Sequence, residues 1–161
     1  MINTIKNNFK RALYALIFSI ITIGTLSFLE FETPYGFFLA GSFGSSMVLL
    51  FGYPESPFAQ PKNVFFGHLV TSIVGVLILK FFPVDQFLQI AIAVGLGIFV
   101  MIILGVTHPP AGGNPIVIIV GAYSYEFLLN PIIFGSIIII VYAIILNRFI
   151  LKKNYPSSWK S

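Results

Sequence analysis

Two stretches of this chain carry residue types that could hold a small solute. Thr107-His108-Pro109-Pro110-Ala111-Gly112-Gly113-Asn114-Pro115 sets an imidazole, three prolines, two glycines and an amide between strongly apolar segments. Gly44-Ser45-Ser46-Met47 interrupts an apolar segment of the first half with small and polar residues. Prolines withhold N–H groups and break helices; glycines let the backbone approach a ligand. A bilayer core has no water for backbone groups freed by such a break, so irregular backbone there must be buried in protein or line a polar cavity. Ser46 and Asn114 are good N-cap residues, and Pro115 suits a first helical position. Each precedes a clean apolar run, Met47–Phe51 or Ile116–Val120. A helix N-terminus is therefore expected at each break. Two such ends facing one hollow would present N–H groups and positive dipole ends to a small monovalent anion without a buried Lys or Arg. The candidate substrate-binding residues are Gly44, Ser45, Ser46, His108, Pro109, Pro110, Gly112, Gly113 and Asn114.

Other polar residues have competing readings. His108 either caps the C-terminus of the fourth apolar segment or serves as a proton-sensitive group beside the path, since imidazole titrates near neutral pH. His68 either bonds the loop holding Gln60 and Asn63 or joins that path; Gln60, Asn63 and His68 are the candidate pathway residues. Glu126 is a carboxylate in a nominally apolar segment, but Tyr123 and Tyr125 beside it favour an interfacial position. Lys62 reads as a solvated loop charge that could recruit anions. Lys80 reads as a snorkelling lysine, and Gly95, Gly97 and Gly105 as helix-packing residues. Two histidines with no cysteine fall short of a metal ligand set. With no nucleophile–base pair at a workable spacing and no phosphate loop, no catalytic residue, enzyme activity or cofactor is expected.

The elements that must position these groups lie in lipid. The chain has 161 residues, 57% hydrophobic and 9% charged, too few charges to cover a soluble globule. Six apolar segments emerge: 12–29, 35–53, 64–82, 87–106, 116–129 and 132–150. The first, third, fourth and sixth are long enough to span a bilayer. The second is diluted by glycine and serine, and the fifth is short. Lys6, Lys10 and Arg11 precede the first segment, while Arg148, Lys152, Lys153 and Lys160 close the last. By the positive-inside rule both ends are cytoplasmic and the number of crossings is even. The first segment is read as an uncleaved helix, because Ser27–Glu32 offers no small-x-small cleavage site. The basic groups flank spans instead of forming a folded basic face, so they fit anchoring to anionic headgroups and not nucleic-acid binding. One transmembrane domain over 1–161 is expected, with basic cytoplasmic tails at 1–11 and 151–161, in a bacterial inner (plasma) membrane. So small a bundle is expected to use neighbours to wall a path, as a homo-oligomer.

The segments also repeat. A shift of 68 carries Gly44-Ser45-Ser46-Met47 onto Gly112-Gly113-Asn114-Pro115, Phe66-Gly67 onto Phe134-Gly135, and Ser56 onto Ser124. The pattern of full, weak and full segment recurs with it. A unit with an odd number of crossings must insert the opposite way up in its second copy, and paired broken helices then meet at the substrate site. The fold class expected is an all-α polytopic membrane protein. It comprises two inverted three-segment repeats, with four full transmembrane helices and two shorter discontinuous or re-entrant ones.

His108-Pro109-Pro110-Ala111-Gly112 resembles the signature of the HPP family of integral membrane proteins. The first half is similar as well, through Gly41-Ser42-Phe43-Gly44-Ser45-Ser46, Leu49-Leu50-Phe51, Ser56–Val64 and Gly67-His68. The resemblance covers about 34–146. It implies a four-helix transmembrane bundle and nitrite transport, the activity of plastid and cyanobacterial members. Appended CBS domains occur in some relatives and none is expected here. Gly113-Asn114 stand where Ala or Thr is expected, at a place where selectivity would be set. The leading expectation is transport of a small monovalent anion, nitrite first. A channel for a small neutral solute and a non-transporting accessory subunit are the alternatives.

Overall fold

The computed structural model describes residues 2–34, 36 and 38–157. Tyr35, the expected start of the second segment, and Lys160 lie outside the described residues. Six helices follow in order: α1 (Ile2–Phe31), α2 (Gly41–Gly52), α3 (Pro61–Phe81), α4 (Gln86–Ile103), α5 (Pro109–Val120) and α6 (Leu128–Ile150). No strand occurs among the described residues. Helices α1, α3, α4 and α6 are long and apolar enough to cross a membrane. Helices α2 and α5 reach roughly 18 Å each at 1.5 Å per residue, against a hydrocarbon core of about 30 Å. Four long helices and two half-length ones are thus as expected from the segment lengths.

Helix α3 is the centre, packed most extensively against α4 and α5. Two of its glycines set that distance. A methyl group on Gly67 would stand 2.7 Å from His108 Cβ, and one on Gly75 would stand 2.9 Å from Pro115 Cα. Both approaches require a residue without Cβ. Gly97 of α4 closes the third side, where a Cβ would meet Thr71 Cγ2 at 3.3 Å. The gain from such small-residue contacts in lipid is close packing and not apolar burial.

Local chemistry explains where the helices begin and end. Pro61 starts α3 and Pro109 starts α5, at positions whose N–H has no intrahelical partner anyway. Helix α4 stops at a left-handed Gly105 (φ 60°), with Gly105 N–H donating to Ile102 O and Val106 N–H to Met101 O. Gly105 is therefore a helix stop and not the packing residue expected. Ahead of α2, residues 38–40 stay extended, and the Glu30 carboxylate accepts from Phe38 N (2.6 Å) and Leu39 N (3.1 Å). At the other end of α2, Asn147 of α6 donates to Leu50 O at 2.9 Å. Tyr142 of α6 clasps Thr25 of α1, oxygen to oxygen, at 2.9 Å.

Several expected boundaries are corrected. Helix α1 begins at Ile2, so the described part of the expected tail 1–11 is helical. No glycine or proline interrupts it there, and Arg11 bonds Asn8 at 2.9 Å and lies over the Tyr53 ring. The expected segment 116–129 is two pieces. α5 runs from the prolines to Val120, and a turn through Ala122 (φ 51°) separates it from α6. Glu126 is exposed in the helical residues leading into α6, outside any half-length helix. Helix α6 starts at Leu128, ahead of the expected 132, and carries Pro131 inside it. Lys80 has its ammonium over the Tyr125 ring, 4.5 Å from the centroid.

The described end of the C-terminal tail is docked. Tyr155 is buried and donates to Ala59 O at 2.9 Å, and Ser157 N donates to Gln60 Oε1 at 2.9 Å. Burial raises the Tyr155 phenol above its usual range, so it stays a donor at physiological pH. Lys10 and Arg11 of α1 share one groove with Leu151 and Lys153, so the two basic ends lie together on one face of the molecule.

Gly67→Ala is expected to destabilise the protein by about 1–3 kcal/mol through overpacking, seen as a lower melting temperature in detergent. Gly112→Ala, whose Cβ meets nothing within 4 Å, is expected to change stability by no more than about 0.5 kcal/mol. Equal melting temperatures for the two variants would contradict the packing described.

Candidate functional site

A buried polar cluster joins α2, α3 and the start of α5. Ser46 sits in α2 with its hydroxyl between two imidazoles, 3.1 Å from His68 Nε2 and 2.9 Å from His108 Nε2. The rings lie 4.9 Å apart, centroid to centroid. Ser46, His68 and His108 are fully buried, and Asn114 is 1% exposed. The edge of Phe43 closes over His68. Pro61 starts α3 and His68 follows seven residues later, so the cluster lies roughly 10 Å into that helix, nearer the end of α3 where Tyr155 and Ser157 dock.

The partners fix the direction of each hydrogen bond. Phe58 O can only accept, so His108 Nδ1, 2.7 Å away, donates to it. Neutral His108 therefore keeps a lone pair on Nε2, and Ser46 donates to it. Asn114 Nδ2 can only donate, so His68 Nδ1, 3.0 Å away, accepts. Neutral His68 therefore carries its proton on Nε2 and donates to Ser46 Oγ. The Asn114 amide cannot be reversed, because the same nitrogen also faces His68 O (3.3 Å) and Ser72 Oγ (3.0 Å). The chain thus runs from Asn114 through His68, Ser46 and His108 to Phe58 O. The two histidines hold opposite tautomers. Ser46 has a second acceptor in reach, Ser42 O at 3.1 Å.

The expected site residues divide into three groups. Ser46, His68, His108 and Asn114 meet directly. Pro110, Gly112 and Gly113 are half-buried beside them, and a Cβ on Gly112 or Gly113 would enter open space. Gly44, Ser45 and Pro109 are exposed on the outer surface. There a groove of about 470 Å³ is lined by Ser45, Val48, Leu49, Pro109 and Pro110. Gln60 and Asn63 brace loops. Gln60 donates to Pro54 O and Ser56 O, and Asn63 donates to Thr107 O at 2.9 Å.

The capping expectations are corrected. α2 starts at Gly41 after Ala40, so Ser46 lies inside the helix, and its hydroxyl serves the histidines. Asn114 follows the tight turn 109–113 as the first residue of an α-helical stretch, and its side chain points to α3 instead of capping. His108 does not cap α4. His68 does not bond the loop of Gln60 and Asn63. The α-helical parts of α2 and α5 are seven residues each, so their dipoles add little charge to the cluster. Thr71 and Ser72 complete the shell around Asn114, and the sequence motifs do not point to them. Their spacing of three and four from His68 puts them on its helix face, which is the signal that could find them. Among the described residues no group of three or more His, Cys, Asp or Glu could hold a metal.

The sequence matches the family model described as "HPP, transmembrane region" over residues 4–156. It is 34% identical over 128 residues to a transmembrane protein of Dictyostelium discoideum, covering 75% of this chain and 45% of that protein. A second transmembrane protein of the same organism is 36% identical over 129 residues, covering 76% of this chain and 42% of the relative. The chain thus spans less than half the length of the curated relatives it matches. No solved structure matches.

Asn114→Leu removes the donor shared by His68 Nδ1, Ser72 and His68 O while roughly keeping volume. It is expected to destabilise the protein by about 1–3 kcal/mol, the cost of stranding buried polar groups, measured by thermal unfolding in detergent. An unchanged melting temperature would mean that the amide does not hold His68.

Proposed function

The chain belongs to the HPP family, and from that premise we propose that this integral membrane protein carries a small monovalent anion, nitrite first, across the bilayer. The observation that carries the reading is the cluster itself. Two half-length helices meet on α3 at a buried cluster of four polar side chains, Ser46, His68, His108 and Asn114. Half-length helices paired at a polar crossing are how many carriers seat a solute. The open space beside Gly112 and Gly113 is the proposed approach for the anion.

We also read the two halves as an inverted repeat. Helices α2 and α5 have the same length, and one offset of 68 separates both their first residues, Gly41 and Pro109, and their last, Gly52 and Val120. That is the offset at which the two motifs align. We place both basic ends in the cytoplasm, since they meet on one face and four long helices give an even number of crossings.

The neutral-solute channel has one observation in its favour: with both histidines neutral, the cluster offers hydrogen bonds and no charge. Purified protein in liposomes separates the readings. Nitrite uptake above protein-free liposomes is expected, with competition by other small monovalent anions and little flux of urea. Urea flux without nitrite flux would favour the channel, and flux of neither would remove both. Gly112→Leu, whose Cβ would meet nothing within 4 Å, is expected to bring nitrite uptake to the protein-free rate with the melting temperature held. Full uptake by this variant would move the path away from the motif.

A further inference from the structure

We propose that His108 Nε2 and the Ser46 hydroxyl form a binding site for a single proton, and that this proton supplies the positive charge that holds the anion. The proposal rests on the transport reading for its second half only; the proton site stands on the geometry of the cluster.

The chain of hydrogen bonds has one place where a proton can be added without stranding a donor. A proton from water joins the lone pair of His108 Nε2. The new N–H donates to Ser46 Oγ, 2.9 Å away. The serine's own proton turns to Ser42 O at 3.1 Å. Ser46 Oγ then accepts from both imidazoles with its two lone pairs, while His108 Nδ1 keeps its bond to Phe58 O. No covalent bond within the protein breaks, and the net change is one positive charge. His68 has no equivalent place. A proton on its Nδ1 would face the Asn114 NH₂ group, which cannot reverse without setting Asn114 Oδ1 against His68 O. Two imidazolium rings 4.9 Å apart would also repel, so the pair holds one proton and not two.

The surroundings supply no other charge. From α2 the cluster meets Ser42 and Ser46, from α3 Gly67 and His68, and from the turn before α3 the Phe58 carbonyl. Residues 86–106 and 109–120, which include α4 and α5, contain no Asp, Glu, Lys or Arg. Lys62 of α3 lines a groove with Phe65, Phe66 and Ile140, away from the rings. A buried imidazolium with no carboxylate near it is stabilised by an anion entering from the open side at Gly112 and Gly113. Proton and anion would then bind together as a neutral pair, and each would raise the affinity for the other.

The chain has only two histidines, which makes a direct test feasible. Nitrogen NMR of ¹⁵N-histidine-labelled full chain in lipid nanodiscs, assigned with His68→Gln and His108→Gln, reads each tautomer. The expected result is His68 protonated on Nε2 throughout, and His108 protonated on Nδ1 at high pH and on both nitrogens as pH falls. Nitrite is expected to move the His108 transition to higher pH. Ser46→Thr keeps the hydroxyl and the pattern, whereas Ser46→Ala is expected to weaken proton binding at His108 by about tenfold or more, as for a lost bond to a charged group. The same tautomer on both rings, or proton uptake at His68 in place of His108, would overturn the proton site.

In proteoliposomes containing a pH dye, one proton is expected to enter with each nitrite above the protein-free rate. Nitrite entry without protons would overturn the coupling and leave the transport reading standing. Absence of nitrite entry, with the His108 titration intact, would remove the transport reading and leave the proton site.

Discussion

A hydroxyl group shared by two imidazoles in a dry bundle is the constraint on which the architecture rests. Ser46, His68 and His108 are fully buried, so every donor among them must find an acceptor. That requirement draws together α2, α3, the chain before α5 and the loop carrying Phe58. Leaving any buried member unpartnered would cost more than its hydrogen bond contributes when made. The cluster is therefore both the proposed seat of a solute and the polar joint that locates two helices too short to be held by their apolar length.

Shape serves this joint. His108 reaches Ser46 only because Gly67 has no side chain to block its Cβ, and Asn114 reaches His68 only because Pro115 lies against Gly75. These glycines are spaced one on each side of His68 along α3, so one helix provides an imidazole and the clearance for both of its partners. Gly112 and Gly113 differ from them, since nothing packs where their side chains would be. Glycine is thus used in two ways within a few residues of the cluster, for contact at α3 and for vacancy at the motif.

Much of this is readable in the sequence. The four long helices follow from the apolar run lengths, and the two short ones from dilution by Gly and Ser or from flanking prolines. Ser46, His68, His108 and Asn114 all stand out by residue type within or beside apolar segments. Their roles are less readable, because Ser and Asn beside a glycine look like caps whichever way the side chain turns. Whether a hydroxyl serves its own backbone or a ring 22 or 62 residues away depends on packing between helices, which no local pattern encodes. Helix starts are hard to place for a related reason. Pro109 and Pro110 look like breaks, yet both lie in a first turn, where a missing N–H costs nothing. The docking of Tyr155 on Ala59 has no periodic signal at all.

The fastening of α2 bears on how the chain is assembled. Its serine waits for rings supplied by residues 68 and 108, and its last turn waits for Asn147, 97 residues beyond Leu50. So short a stretch of small and apolar residues cannot be retained in the membrane by hydrophobicity alone. During biosynthesis this segment must therefore stay at the membrane surface or in the care of the insertion machinery. It takes its final position only after α6 has emerged from the ribosome.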